Sequence, residues 1–182
     1  MYLHVCPWWL ASTLNNPLRK LLHNPERILG DYIAKGATVM DIGCGSGYFT
    51  IPMAKMVGRS GSVIAVDIQQ KMLEMVMRYA GRESLQSHIE PHQCTSEKIG
   101  IRKQIDFALA FYMVHEVPDM SALFNELTTI LKKDAYFLLV EPKIHVTLAK
   151  FKKTIRHANE AGLMEYSAPK IRMSRAILLK RC

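Results

Sequence analysis

The sequence predicts a doubly wound α/β domain, and two observations carry that expectation. Short runs of β-branched and apolar residues recur along the chain, closed by glycine or by an acidic residue. Between them lie segments with apolar residues at helical spacing. Near-continuous hydrophobic strands that alternate with helices need a mostly parallel sheet covered on both faces.

Taken in order, Thr38–Ile42 reads as a buried strand closed by glycines, and Ser62–Asp67 as a second, introduced by the turn residues Gly58 to Gly61. A weaker third strand falls near His88 to Gln93. Ile105–Phe111 is a fourth and Ala135–Val140 a fifth. Helical spacing marks Phe49–Val57, Gln70–Gly81 and Met120–Leu131, with Asp119 placed to cap the last of these. Past Pro142, His145–Ala161 reads as a further helix that stops at Gly162. Leu163–Ser167 and Met173–Leu179 then form an antiparallel hairpin through Ala168-Pro169-Lys170, at or near the sheet edge.

Composition fits one domain: 182 residues, 49% hydrophobic and 22% charged, with no repeat, low-complexity tract or linker. No apolar run reaches the roughly 20 residues that a bilayer span needs, so no membrane partner is expected. The Met1-Tyr2-Leu3-His4 start has neither a basic n-region nor an apolar h-region, and no signal peptide is expected. Cys6, Cys44, Cys94 and Cys182 show no C-x-x-C spacing, which argues against a disulfide framework or a cysteine zinc site. A cytoplasmic location is the simplest expectation. The net charge of +8 is uneven: residues 143–182 hold 10 Lys/Arg against 2 Asp/Glu, while the preceding residues balance. Such asymmetry points to an anionic partner or to a solvated helix and hairpin face.

The sharpest signal is Asp41-Ile42-Gly43-Cys44-Gly45-Ser46-Gly47, which leaves the first strand and enters the first helix. An open α/β sheet binds its ligand at that position. A dinucleotide fingerprint requires G-x-G-x-x-G. Tyr48 and Thr50 occupy the last glycine position in the two available frames, so both fail. The spacing argues for a nucleoside ligand without a pyrophosphate and disfavours a nicotinamide oxidoreductase. Asp67 ends the second strand, where a carboxylate can accept hydrogen bonds from both ribose hydroxyls; Ile68 can lie against an adenine face.

These residues resemble the class I S-adenosylmethionine-dependent methyltransferases. Val39–Gly47 matches that family's first motif, Val63–Ile68 its second and Ile105–Phe111 its fourth-strand motif. The resemblance covers roughly residues 36–180 and looks closest to small ubiquinone/menaquinone-type methyltransferases. It implies a Rossmann-like, mostly parallel seven-stranded sheet with an antiparallel last strand. Residues 36–182 would then be the S-adenosylmethionine-binding domain, and residues 1–35 a helical segment serving as a substrate lid. By the same resemblance Asp41, Gly43, Cys44, Gly45 and Gly47 hold the methionine end of the cofactor, Asp67 the ribose, and Ile68 the adenine, with Phe111 also on the cofactor. The family often places Asp or Asn after the third strand to read adenine. Here the segment is Gln93-Cys94-Thr95-Ser96, so Thr95 or Ser96 must substitute through a hydroxyl or the backbone.

Methyl transfer from a sulfonium is an in-line displacement that mainly needs positioning, and an unactivated hydroxyl or carbon acid also needs a base. His115 and Glu116, just past the fourth strand, are the candidates. Trp8, Trp9 and Tyr112 are assigned to the acceptor. Phe111-Tyr112-Met113-Val114 is not the Asn/Asp-Pro-Pro-aromatic motif of enzymes that methylate nucleic-acid amino groups. His88 and His92 are four apart with no third ligand evident, and no metal is expected. The expected function is methyl transfer to an O or C nucleophile of a small molecule. The alternatives are an RNA or protein methyltransferase that uses the basic C-terminal region, or a non-catalytic S-adenosylmethionine-binding module. The oligomeric state is left open.

Overall fold

The structure, a computed structural model, describes Arg19 and residues 22–182. Seven strands form one sheet: β1 (Thr38–Ile42), β2 (Ser62–Asp67), β3 (Ile89–Gln93), β4 (Ile105–Phe111), β5 (Leu131–Pro142), β6 (Leu163–Ser167) and β7 (Ser174–Arg181). Their spatial order is β3-β2-β1-β4-β5-β7-β6. The first five pair in parallel, and β7 runs antiparallel to both β5 and β6. Among the helices that accompany them are α1 (Pro25–Leu29), α2 (Thr50–Val57), α3 (Gln70–Arg82), α4 (Met120–Ile130) and α5 (Leu148–Glu160).

Strand residues alternate between two cores, as a pleated sheet buried on both faces requires. Along β4, Ala108 and Ala110 face a core shared with Phe124 and Leu127 of α4 and Phe151 of α5. Phe107, Leu109 and Phe111 face the opposite core, with Met53 of α2 and Val76 of α3. The parallel register sets Asp41 opposite Ala65 and Leu109, so β1, β2 and β4 end together along one edge. Every loop that leaves this edge can therefore contribute to a common site.

Two boundaries differ from the sequence expectation for identifiable reasons. β5 begins at Leu131, four residues before the hydrophobic run at Ala135. Its first turns outward through Lys132, Lys133 and Asp134, which is why alternation is not visible there; Lys132 pairs with Asp106 at 2.6 Å and Asp134 with Lys180 at 2.7 Å. α5 begins at Leu148, not at residue 145, because the Thr147 hydroxyl accepts the Lys150 N–H and caps the helix. Asp119 caps α4 as expected, accepting the Ala122 N–H at 2.9 Å.

Leu127 is fully buried between α4 and the sheet. Leu127→Ala is expected to cost about 3 kcal/mol and to lower Tm by about 6–12 °C in a circular-dichroism melt. Leu148→Ala, at an exposed site on α5, should stay within about 0.5 kcal/mol of the parent chain.

Candidate functional site

A cavity of about 430 Å³ opens at the carboxyl edge of the sheet, within the range of small-molecule sites. The loop after β1 forms its floor. Gly43 and Gly47 take φ values of +69° and +91°, where L side chains are strained. A Cβ at Gly43 would meet Met113 at 2.8 Å, and one at Gly47 would meet Val76 at 3.2 Å. The two glycines thus serve turning and packing. Gly43 lines the cavity, whereas Gly47 is not among its lining residues. Cys44 lines it too, but its thiol is buried, which pushes its pKa up and leaves it a poor nucleophile.

Two buried carboxylates share the wall. Asp41 accepts a 2.6 Å hydrogen bond from the Thr50 hydroxyl at the start of α2. Burial pushes its pKa up to about 6, against the lowering effect of that bond. Asp67 accepts the Gly45 N–H and the Gln69 N–H, both at 2.9 Å, on its two oxygens. Its carboxyl is raised by burial and held back by these backbone donors. The Ile68 N–H adds a third backbone donor, and the carboxylate keeps part of its acceptor capacity for a ligand. Ile68 follows on the same wall.

The segment after β3 closes the opposite side. Thr95 and Ser96 line the cavity, but the Thr95 hydroxyl oxygen accepts from the Glu97 and Lys98 N–H groups within its own turn. Glu126 of α4 accepts the N–H of Ile99 at 2.8 Å and of Gly100 at 2.6 Å, which pins this loop to the helix. Cys94 sits half-buried beside them with its thiol pushed up to about 11. His92 bonds the Ile99 carbonyl at 2.6 Å, and among the described residues no three His, Cys, Asp or Glu side chains stand together as a metal site.

An aromatic wall completes the cavity. Phe111 packs on Phe49 and Tyr112, each at a ring separation of 4.4 Å. Tyr112 has φ +65°, and its hydroxyl bonds Ser174 Oγ at 2.6 Å and His23 Nε2 at 3.1 Å. His23 in turn reaches the Arg172 carbonyl. Arg19 lies over the Tyr48 ring, 4.1 Å from its centroid. Arg19, Leu22 and His23 all line the cavity. Trp8 and Trp9 lie outside the described residues.

The two candidate bases separate. Glu116 lines the cavity, and burial raises its carboxyl above the ordinary range. His115 is not among the lining residues. Its backbone N–H and its Nδ1 both meet the Glu141 carboxylate, at 2.9 and 2.6 Å. Glu141 is only 1% exposed at the end of β5, and the hydrogen bond to it raises the His115 pKa above the usual value. Sequence reasoning missed Glu141, Glu126 and His23. Glu141 shared the signal that revealed Asp67, an acid at the end of an apolar strand; Glu126 and His23 carried no comparable local mark.

Residues 33–173 match the family model described as a methyltransferase domain. A demethylmenaquinone methyltransferase of Lactobacillus johnsonii is 31% identical over 110 residues, 60% of this chain and 45% of that protein. A ubiquinone biosynthesis O-methyltransferase of Leptothrix cholodnii is 25% identical over 138 residues, 72% of this chain and 56% of that one. The chain thus spans about half the length of these curated relatives. Among solved structures, a SAM-dependent methyltransferase from Aquifex aeolicus shares the fold, with a TM-score of 0.88 at 21% identity over 98% of this chain and 100% of that one. A family match over most of the chain, on the fold and strand-end cavity described, shows that this protein belongs to the methyltransferase-domain family.

Proposed function

We propose that the chain is an S-adenosylmethionine-dependent methyltransferase acting on an O or C nucleophile of a small acceptor. The observation that carries this reading is the pair of buried carboxylates, Asp41 and Asp67, set on either side of the glycine turn in one cavity. When bound, the cofactor supplies a methyl group already activated on a sulfonium. The residues present fit such a group. Asp67 retains acceptor capacity for ribose hydroxyls beside its backbone donors, Ile68 and the aromatic wall offer apolar surface, and Asp41 is a buried carboxyl that gains from a nearby cation. With the Thr95 hydroxyl committed to its own turn, adenine recognition falls to backbone groups of the loop after β3 or to Ser96.

In this reading His115 and Glu116 supply the base: Glu116 on the cavity wall faces the acceptor, and His115 stands beside it off the lining. The Glu141 carboxylate receives Nδ1–H, so the Nε2 lone pair is the basic site, and the ring is fixed in orientation. Glu116 on the cavity wall is a carboxyl with a raised pKa beside that ring and adds to the local negative field. Tyr112 serves the acceptor side through its ring, its hydroxyl being held by Ser174 and His23. The presence of Arg19, Leu22 and His23 on the wall supports a cover role for residues 1–35, with Trp8 and Trp9 against the acceptor. The names of the two curated relatives support a quinone-type ring as acceptor.

Saturating S-adenosylhomocysteine at 100 times its Kd is expected to stabilise the chain by about 2.7 kcal/mol. A differential scanning experiment should then show a Tm rise of about 5–10 °C. Asp67→Ala should abolish that rise; an undiminished rise in the variant would sink the assignment of the ribose site. The affinity itself should weaken as pH falls from 7 to 5, because protonation of Asp41 near pH 6 removes its charge. Asp41→Asn should bind weakly and lose this pH dependence in calorimetric titrations.

The His115–Glu141 pair makes a separate pH statement. A histidine whose pKa is raised on folding stabilises the fold fully below its unfolded value, about 6.5. That contribution is lost as pH rises through the higher folded value. Urea denaturation at pH 6 and pH 9 should reveal this loss in the parent chain, and Glu141→Gln should largely remove it. In rate measurements the same variant should move the rising limb of the pH profile towards lower pH and reduce kcat.

A further inference from the structure

Among the described residues, five large apolar side chains are exposed, and three of them gather at one place. Ile144 is 82% exposed, Met173 59% and Leu148 51%. Ile144 lies in the turn after β5, Met173 immediately precedes β7, and Leu148 opens α5. The group is held in place. Lys143 N–H donates to the Met173 carbonyl at 3.0 Å, Val146 N–H to the Pro142 carbonyl at 2.9 Å, and Arg175 Nε to the Val146 carbonyl at 2.9 Å. Val146 itself is buried under the turn. These apolar groups are therefore displayed by a fixed backbone, and folding leaves them in water.

The surroundings are basic. Residues 143–159 hold five Lys/Arg and no Asp or Glu. Lys152 follows Leu148 by one helical turn, and Arg156 follows Lys152 by another, so one stripe of α5 begins apolar and continues cationic. Lys143 and Arg172 flank Ile144 and Met173 in sequence, and both are exposed.

The patch also adjoins the cavity. β7 is antiparallel, so its start lies at the same sheet edge where β5 ends. Ser174, next to Met173, holds the hydroxyl of the cavity residue Tyr112, and the Arg172 carbonyl holds His23, another cavity residue. The apolar knobs thus stand on the outer side of the cavity wall.

We propose that this face docks on an anionic lipid bilayer, with Ile144, Leu148 and Met173 entering the headgroup boundary. The Lys143, Lys152, Arg156 and Arg172 side chains then meet the lipid phosphates. Apolar anchors ringed by long cations are what interfacial binding requires, since the stems lie along the apolar boundary while the charged heads stay in water. RNA would use the cations but gains nothing from three exposed aliphatic side chains. Surface docking needs no spanning segment, and among the described residues no helix is long and apolar enough to cross a membrane. It does depart from the sequence expectation that no membrane partner exists. Resting on the small-acceptor reading, the proposal narrows it: the acceptor is one that partitions into lipid and reaches the cavity from the membrane side.

Flotation of the full chain with phosphatidylcholine vesicles, with and without phosphatidylglycerol, tests this. Binding is expected on the anionic vesicles, with weakening but not loss at high salt. The double variant Ile144→Ser, Leu148→Ser should reduce the bound fraction about tenfold or more, while its Tm shift with S-adenosylhomocysteine stays that of the parent. No flotation of the parent chain overturns the proposal. So does binding that salt abolishes and the double variant leaves intact, or tight binding of a single-stranded RNA oligonucleotide without vesicle binding. Flotation that behaves as expected in a chain that shows no S-adenosylhomocysteine shift supports the docking face and removes the enzyme reading instead.

Discussion

Three carboxylates are buried along the carboxyl edge of this sheet, and a buried charge must find donors or give up its charge. Asp41, Asp67 and Glu141 answer that constraint differently. Asp67 takes two backbone N–H groups, one from the loop after β1 and one from its own loop. It thereby ties two strand ends together and fixes the mouth of the cavity. Glu141 takes the backbone and ring of His115, which orders the turn after β4. Asp41 takes the hydroxyl and the backbone N–H of Thr50, and burial still raises its pKa to about 6. A carboxyl in that state gains from any cation brought beside it, so Asp41 is well placed to reward a ligand.

How much of this could be read in the sequence depended on chain separation. The glycine turn and Asp67 are local features: five residues of backbone conformation, and one acid at the end of an apolar strand. Periodicity also placed β1, β2, β4 and β6 at their observed bounds. The His115–Glu141 contact joins residues 26 apart, one in the turn after β4 and the other near the end of the adjacent parallel strand β5, and nothing in either segment alone announces it. The same holds for Glu126, which reaches back 26 and 27 residues to Gly100 and Ile99. Thr95 lines the cavity as a ligand contact would, but its side chain is not free. A hydroxyl at the right position suggested a ligand contact, yet the backbone of its own turn claims that oxygen first. At β5 the exposed Lys132-Lys133-Asp134 run concealed a strand whose polar start is stabilised by pairing with Asp106 and Lys180.

The uneven charge of the chain acquires a spatial meaning once the fold is known. Inside the cavity the fixed groups of β1 and β2 are anionic and shielded from water, which suits a ligand with positive charge at its reactive end. On the outer face of the same wall, the residues after β5 and along α5 are cationic and wet. Opposite signs only a few residues apart in the fold do not cancel here, because the outer charges are screened within about 8–10 Å of water and salt, whereas the inner ones act through protein. One edge of the sheet can therefore present a negative interior to a small cationic ligand and a positive exterior to an anionic surface. Tyr112 and Ser174 stand at the boundary between these two environments. The left-handed backbone of Tyr112 is strained for a non-glycine residue, and the bonds its hydroxyl makes to Ser174 and His23 hold the ring against the cavity while committing its polar end to the wall. Those two bonds therefore hold the strained residue in place on the cavity wall.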